Sequence, residues 1–128
     1  MFDTAGERIV EITDAVRRFA ADAGKSGLVN VFLPHATAGL ALMETGSGSE
    51  EDLMRVLDDW MPPNDDYLHR HGATGHGRDH ILPAFIPPSL SIPVEDGQLV
   101  LGTWQSVVIV DTNASNNQRR VRLSFVPG

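Results

Sequence analysis

The chain reads as an α+β domain with its helices early and its strands late. Three observations point there. Two helix-period segments lie within residues 13–60, a β-branched apolar run separates them at 28–34, and short apolar runs broken at turn residues follow from Ser89 onward. In order, Thr13 or Asp14 can cap a first helix, along which Val16, Phe19, Ala20 and Ala23 recur at helical spacing, and Gly24 can end it. LVNVFLP then reads as a buried strand stopped by Pro34. Ser49 opens a second helix whose first turn carries Glu50, Glu51 and Asp52, acids suited to a helix N-terminus. Leu53, Val56, Leu57 and Trp60 form one face of it, and Pro62-Pro63 terminate it. SLSIPV and the long run QLVLGTWQSVVIVD flank Glu95-Asp96-Gly97, where Asp-Gly supplies the positive φ of a hairpin turn. VVIV within the long run predicts a strand buried on both faces. NASNN is a turn, and RRVRLSFV alternates and closes the sheet.

Composition narrows the function classes. The 128 residues carry 41% hydrophobic side chains, enough for one folded domain spanning 1–128. No run of eighteen apolar residues exists to cross a membrane, and MFDTAGERIVEITD has neither the basic start nor the apolar stretch of a signal peptide. The chain has no cysteine, which fits a reducing cytoplasm and leaves His, Asp and Glu as the only metal ligands. A net charge of −7 would repel a nucleic acid. Arg119, Arg120 and Arg122 still form a local basic cluster that can meet a small phosphorylated ligand.

YLHRHGATGHGRDH, residues 67–80, holds four of the five histidines. Two readings compete: a solvated loop, or half of a site completed elsewhere. His69 and His71 would share a face in extended backbone, whereas Gly75 and Gly77 disfavour the helix that would align His76 with His80. His35 stands just after the first strand run, and Glu44 lies further along the same stretch. Two or three imidazoles with a carboxylate suit zinc or another first-row metal. The acids Glu50, Glu51, Asp58 and Asp59 read as a solvated helix face, and Trp60 and Trp104 as core. Gln105 follows Trp104 inside an apolar run, where its amide is either buried with partners or turned to solvent. HExxH, a glycine-rich phosphate loop and a G-x-S-x-G elbow are all missing from the sequence.

Read together, several segments resemble the YjbQ family, whose members are described as secondary thiamine-phosphate synthases. The family's histidine-threonine motif corresponds to His35-Ala36-Thr37-Ala38-Gly39-Leu40, with Glu44 in the place of its glutamate. Tyr67-Leu68-His69, then His80-Ile81-Leu82 through Ser89-Leu90-Ser91-Ile92-Pro93-Val94, follow the family layout. Leu99-Val100-Leu101-Gly102-Thr103-Trp104-Gln105 matches its next signature, and Arg119 and Arg120 match its closing arginines. The chain departs from the pattern at Ala36, usually threonine, and in the loop Gly75-His76-Gly77-Arg78-Asp79. It also looks short at the N-terminus, where the family has a further strand before the first helix.

The resemblance implies a single-domain mixed β-sandwich with two main helices, assembled as a homotrimer with sites near subunit contacts. It implies that His35, His69 and His80 converge on a divalent metal ion, zinc or magnesium, or on pyrophosphate. Glu44 and His35 would be catalytic, and Thr37, Gln105 and Arg119 would bind substrate, while His71 and His76 fall outside the pattern. The implied activity is a transferase of thiamine biosynthesis, coupling a hydroxymethylpyrimidine diphosphate to a thiazole phosphate. The alternatives are a His-liganded metal-dependent hydrolase or phosphatase, and a non-catalytic trimeric ligand-binding module.

Overall fold

The structure is a computed structural model that describes residues 1–64, 67–69 and 76–128. Two strands, β1 (Phe2–Asp3) and β2 (Ile9–Glu11), precede the first helix, so the helix is not the first element. Then follow α1 (Thr13–Ala23), β3 (Gly27–Phe32), β4 (Gly39–Met43) and α2 (Ser49–Trp60). Two single helical turns, α3 (His76–Asp79) and α4 (Leu82–Phe85), lead to β5 (Ser89–Glu95), β6 (Gln98–Leu99), β7 (Ser106–Val110), β8 (Gln118–Arg119) and β9 (Arg122–Pro127). A helical turn does therefore form at His76 despite its flanking glycines; the buried side chains of Arg78 and Asp79 hold it.

The strands form an antiparallel sandwich rather than the mixed one expected, since no parallel pair occurs among the described residues. One sheet has the order β6-β5-β3-β9, a second β2-β7-β4, and β1 pairs with β8 beside them, every pairing antiparallel. Val29 and Val31 of β3 and Ile92 and Val94 of β5 face Leu40 of β4 and Val107 and Ile109 of β7, closed at one end by Val16 and Ala20 of α1. Val108 and Val110, pointing the other way, pack on Leu57 of α2, on Met61 just after it and on Leu82. The VVIV segment is thus fully buried on both faces, as its composition predicts. Each such side chain contributes about 1.5–3 kcal/mol of burial. Asp96 (φ 49°) and Gly97 (φ 81°) supply the two left-handed residues of the β5–β6 hairpin.

Several expectations are corrected. The long run 98–111 is two strands, because Gly102–Gln105 forms a turn in which Gln105 N–H donates to Gly102 O at 3.1 Å. Thr13 does not cap α1: its hydroxyl accepts the Val107 N–H at 2.8 Å and so ties the helix to β7 instead. The inward face of α2 is Leu53, Met54 and Leu57, continued by Met61 at its C-terminal end. Val56 and Trp60 lie outside it, and Trp60 meets Phe85 edge-on at 4.5 Å between ring centroids. Trp60 is 58% exposed and Trp104 73%, so neither is core; an apolar pattern identifies a face but not whether anything covers it.

Candidate functional site

Two clusters of polar side chains grow out of this scaffold. The first surrounds the loop after β3. Leu33 is buried and its N–H donates to Pro88 O at 2.7 Å, which fixes where the loop starts. Arg119, the last residue of β8, and Arg120 just after it then hold the histidine motif by different groups. Arg120 donates its backbone N–H to His35 Nε2 at 2.9 Å, and Arg119 Nη2 donates to Thr37 Oγ1 at 2.9 Å. Arg119 is fully buried and reaches Asp111 through Nε at 2.6 Å and Nη2 at 2.9 Å. Asp111 also accepts the Thr4 hydroxyl at 2.6 Å and the Asn113 N–H at 3.0 Å. Four donors on one carboxylate make Asp111 a brace with no capacity left for a general base.

The second cluster joins the histidine segment to α2 and β7. The His69 and His80 rings lie 4.1 Å apart between centroids, tilted by 31°. Beside them Arg78, buried, donates from Nη1 to Asp58 Oδ1 of α2 at 2.7 Å. Asp79, also buried, accepts the Thr112 hydroxyl and, at 3.1 Å, the Asn113 amide. Burial raises the Asp79 carboxyl above the ordinary range, against the lowering effects of the Thr112 hydrogen bond, Arg78 and Asn113, with Asp111 adding to the rise. Asn113 touches both aspartates, so one polar chain runs from the His80 turn to the His35 loop.

The model of the family described as UPF0047 protein YjbQ-like matches residues 1–128. The chain belongs to this YjbQ-like family. A UPF0047 protein of Mycobacterium tuberculosis is 59% identical over 126 residues, 98% of this chain and 94% of its own length. The UPF0047 protein YugU of Bacillus subtilis is 31% identical over 106 residues, 81% of this chain and 79% of its own. Among solved structures, a conserved hypothetical protein from Thermus thermophilus superposes with a TM-score of 0.83 at 28% identity, covering 98% of this chain and 96% of that one. A hypothetical protein from Aeropyrum pernix gives 0.83 at 27% identity, covering 94% and 90%.

The residues implied by the YjbQ-like pattern fall in different places. His69 and His80 are brought together, but His35 does not join them in one chain: among the described residues, no group of three His, Asp or Glu can hold a metal ion. His35 Nε2 is moreover occupied by the Arg120 N–H, so the proton of the neutral ring sits on Nδ1. A His₃ zinc or magnesium centre is not formed by the described residues of one chain. Glu44 follows β4 at the end away from the His35 loop, about 16 Å from Gly39 at the usual strand rise. It makes no hydrogen bond or ion pair with any described residue. Gln105 is exposed and its Oε1 accepts the Gly102 N–H at 2.8 Å, which places its amide on the solvent side. Thr37 and Arg119 are buried against each other. His71 lies outside the described residues, and His76 opens α3. Sequence reasoning missed Asp111 and Asn113, whose only signal is that acids and amides flank strand ends, and Asp79, which closes α3.

Desolvation, and then the charge of Arg119, lower the His35 pKa below 6.5. The folded state therefore binds fewer protons than the unfolded chain between that lowered value and 6.5. The associated stability is complete above pH 6.5 and is lost as pH falls through the folded-state pKa. His35→Gln can still accept the Arg120 N–H and cannot titrate. Urea midpoints measured from pH 7.5 to 5 are expected to fall more steeply for the wild type than for His35→Gln; parallel profiles would contradict this.

Proposed function

We propose that the chain is a thiamine-phosphate-synthase-like transferase acting on small phosphorylated substrates. The thiazole nitrogen would attack the methylene carbon of the pyrimidine diphosphate. A C–N bond forms, the C–O bond breaks, and pyrophosphate leaves with the electron pair. What the enzyme must supply is orientation and neutralisation of the leaving anion. The observation that supports this reading most is the His69–His80 contact at 4.1 Å, which joins two of the family-implied histidines across the variable loop. A homotrimer in the cytoplasm belongs to the same proposal, since sites at subunit contacts would let residues of different copies complete one another. No helix among the described residues is long and apolar enough to cross a membrane.

The test is a precursor-coupling assay on the wild type, His80→Ala and His71→Ala, with sedimentation of the untagged chain. His80→Ala is expected to lose about 100-fold or more in kcat/KM, on the scale of a lost catalytic side chain, and His71→Ala less than about threefold. Equal losses, or none, would remove the site assignment. Release of inorganic phosphate without coupling would favour the hydrolase.

A further inference from the structure

We propose that the recess lined by Met1, Pro34, His35, Gln118 and Arg120 is a phosphoryl-anion site, with the Arg120 guanidinium and the His35 Nδ1–H as its donors. This deepens the transferase reading, on which it rests for the identity of the anion, by locating where phosphate or pyrophosphate binds. The resemblance alone would give that role to Arg119. Arg119 is fully buried, doubly bonded to Asp111 and bonded to Thr37, so its charge is already matched inside the protein. Its neighbour Arg120 differs on each point. It is exposed, and no carboxylate of a described residue pairs with it, in a chain with 17 acidic and 10 basic residues.

Three further observations give the recess its polarity. The Arg120 N–H donates to His35 Nε2 at 2.9 Å, and that bond leaves the ring's second nitrogen as a donor with no partner among the described residues. The same backbone bond sets the imidazole beside Arg120 before any ligand arrives, which lowers the cost of binding. The lining carries no carboxylate, whereas the groove between the β1–β2 loop and α2 carries Glu7, Glu50, Glu51, Asp58 and Asp59. With a volume of about 380 Å³, the recess falls within the range of small-ligand sites. An exposed arginine and a ring N–H on the lining of one recess suit phosphoryl oxygens, which accept charge-assisted hydrogen bonds from both.

Inorganic pyrophosphate titrated into the full chain tests this, read by calorimetry and by the ring ¹H–¹⁵N resonances of His35. Arg120→Gln removes the charge and keeps the backbone N–H that holds His35, while Arg18→Gln removes an exposed charge on α1, outside the basic cluster. The expected result is saturable binding that shifts the His35 Nδ1 signal, weakened about tenfold or more by Arg120→Gln, the usual scale of one charge-assisted contact, and less than about twofold by Arg18→Gln. Equal weakening by both variants, no saturation, or an unmoved His35 signal would overturn the site. Its failure is separable from that of the transferase reading. Pyrophosphate binding without precursor coupling leaves the anion site and removes the synthase; coupling unaffected by Arg120→Gln removes the site and leaves the synthase.

Discussion

Asp111→Ala is expected to destabilise the fold by about 3–5 kcal/mol, the cost of leaving a buried charge without its partner. The reason lies in how little the surroundings can compensate. Arg119 and Asp111 have fully buried side chains, and the carboxylate matches two guanidinium nitrogens at 2.6 and 2.9 Å. Removing it strands the guanidinium among apolar side chains, with Thr37 as its main remaining acceptor. It also frees the Thr4 hydroxyl and the Asn113 N–H, which close the chain around the same carboxylate. Asp111→Asn keeps the shape and loses the charge, so it should fall between. The double variant Asp111→Leu/Arg119→Met should recover most of the loss, because well-packed apolar groups often replace a buried pair at little cost. Urea unfolding of the four proteins measures this. A single-variant cost under about 1 kcal/mol would place the pair among weak surface bridges instead. Loss of the brace should also release the loop at Thr37, so His35 resonances in Asp111→Ala are expected to broaden or shift under folded conditions.

Elements with a local period were legible in the sequence. The spacing of Val16 and Ala20, Gly24 at φ 63° behind them, Ser49 with its acids, and Asp96-Gly97 all read correctly, because each signal and its structural partner lie within a few residues. β2 and β4 gave no such signal. Both are defined by pairing with β7, about a hundred and about seventy residues away, and a three- or five-residue segment carries too little period of its own. The break in the 98–111 run was hidden for a related reason: apolar Val100 and Leu101 continue the pattern up to the turn. At the site, residue type pointed to chemistry but not to direction. Arg119 and Arg120 are adjacent and alike in sequence, yet the β1–β8 pairing turns one into the core and leaves the other exposed. The meeting of His69 and His80 came only from resemblance to a family, since no spacing rule brings the ends of a variable loop together.

Gly39→Ala should have the second large effect, and it acts where the two histidine-bearing segments touch. A Cβ added at Gly39 would overlap the carbonyl oxygen of Ile86 and lie 2.7 Å from its carbonyl carbon. Neither is the end of a flexible side chain, so relief requires backbone movement. That backbone is stitched on both sides: Leu33 N–H donates to Pro88 O at 2.7 Å, and Leu40 N–H to Pro87 O at 2.8 Å. Residues 86–88 thus lie across both ends of the loop that carries His35 and Thr37, and they follow directly on the His80 turn and α4. A methyl group here pries the segments apart, at an expected cost of about 3 kcal/mol, the upper part of the overpacking range. Gly102→Ala is the matched control. Its Cβ would meet only the Gln105 side-chain amide, at 3.3 Å, and that amide can swing into solvent. Its effect should stay within about 0.5 kcal/mol, as for surface substitutions generally. If the two variants unfold at the same urea concentration, the close approach at Ile86 is not holding the segments together. If Gly39→Ala is destabilised but still mostly folded at low temperature, its His35 and His69–His80 ring resonances should both be displaced from wild-type positions, because one backbone contact sets the spacing of both.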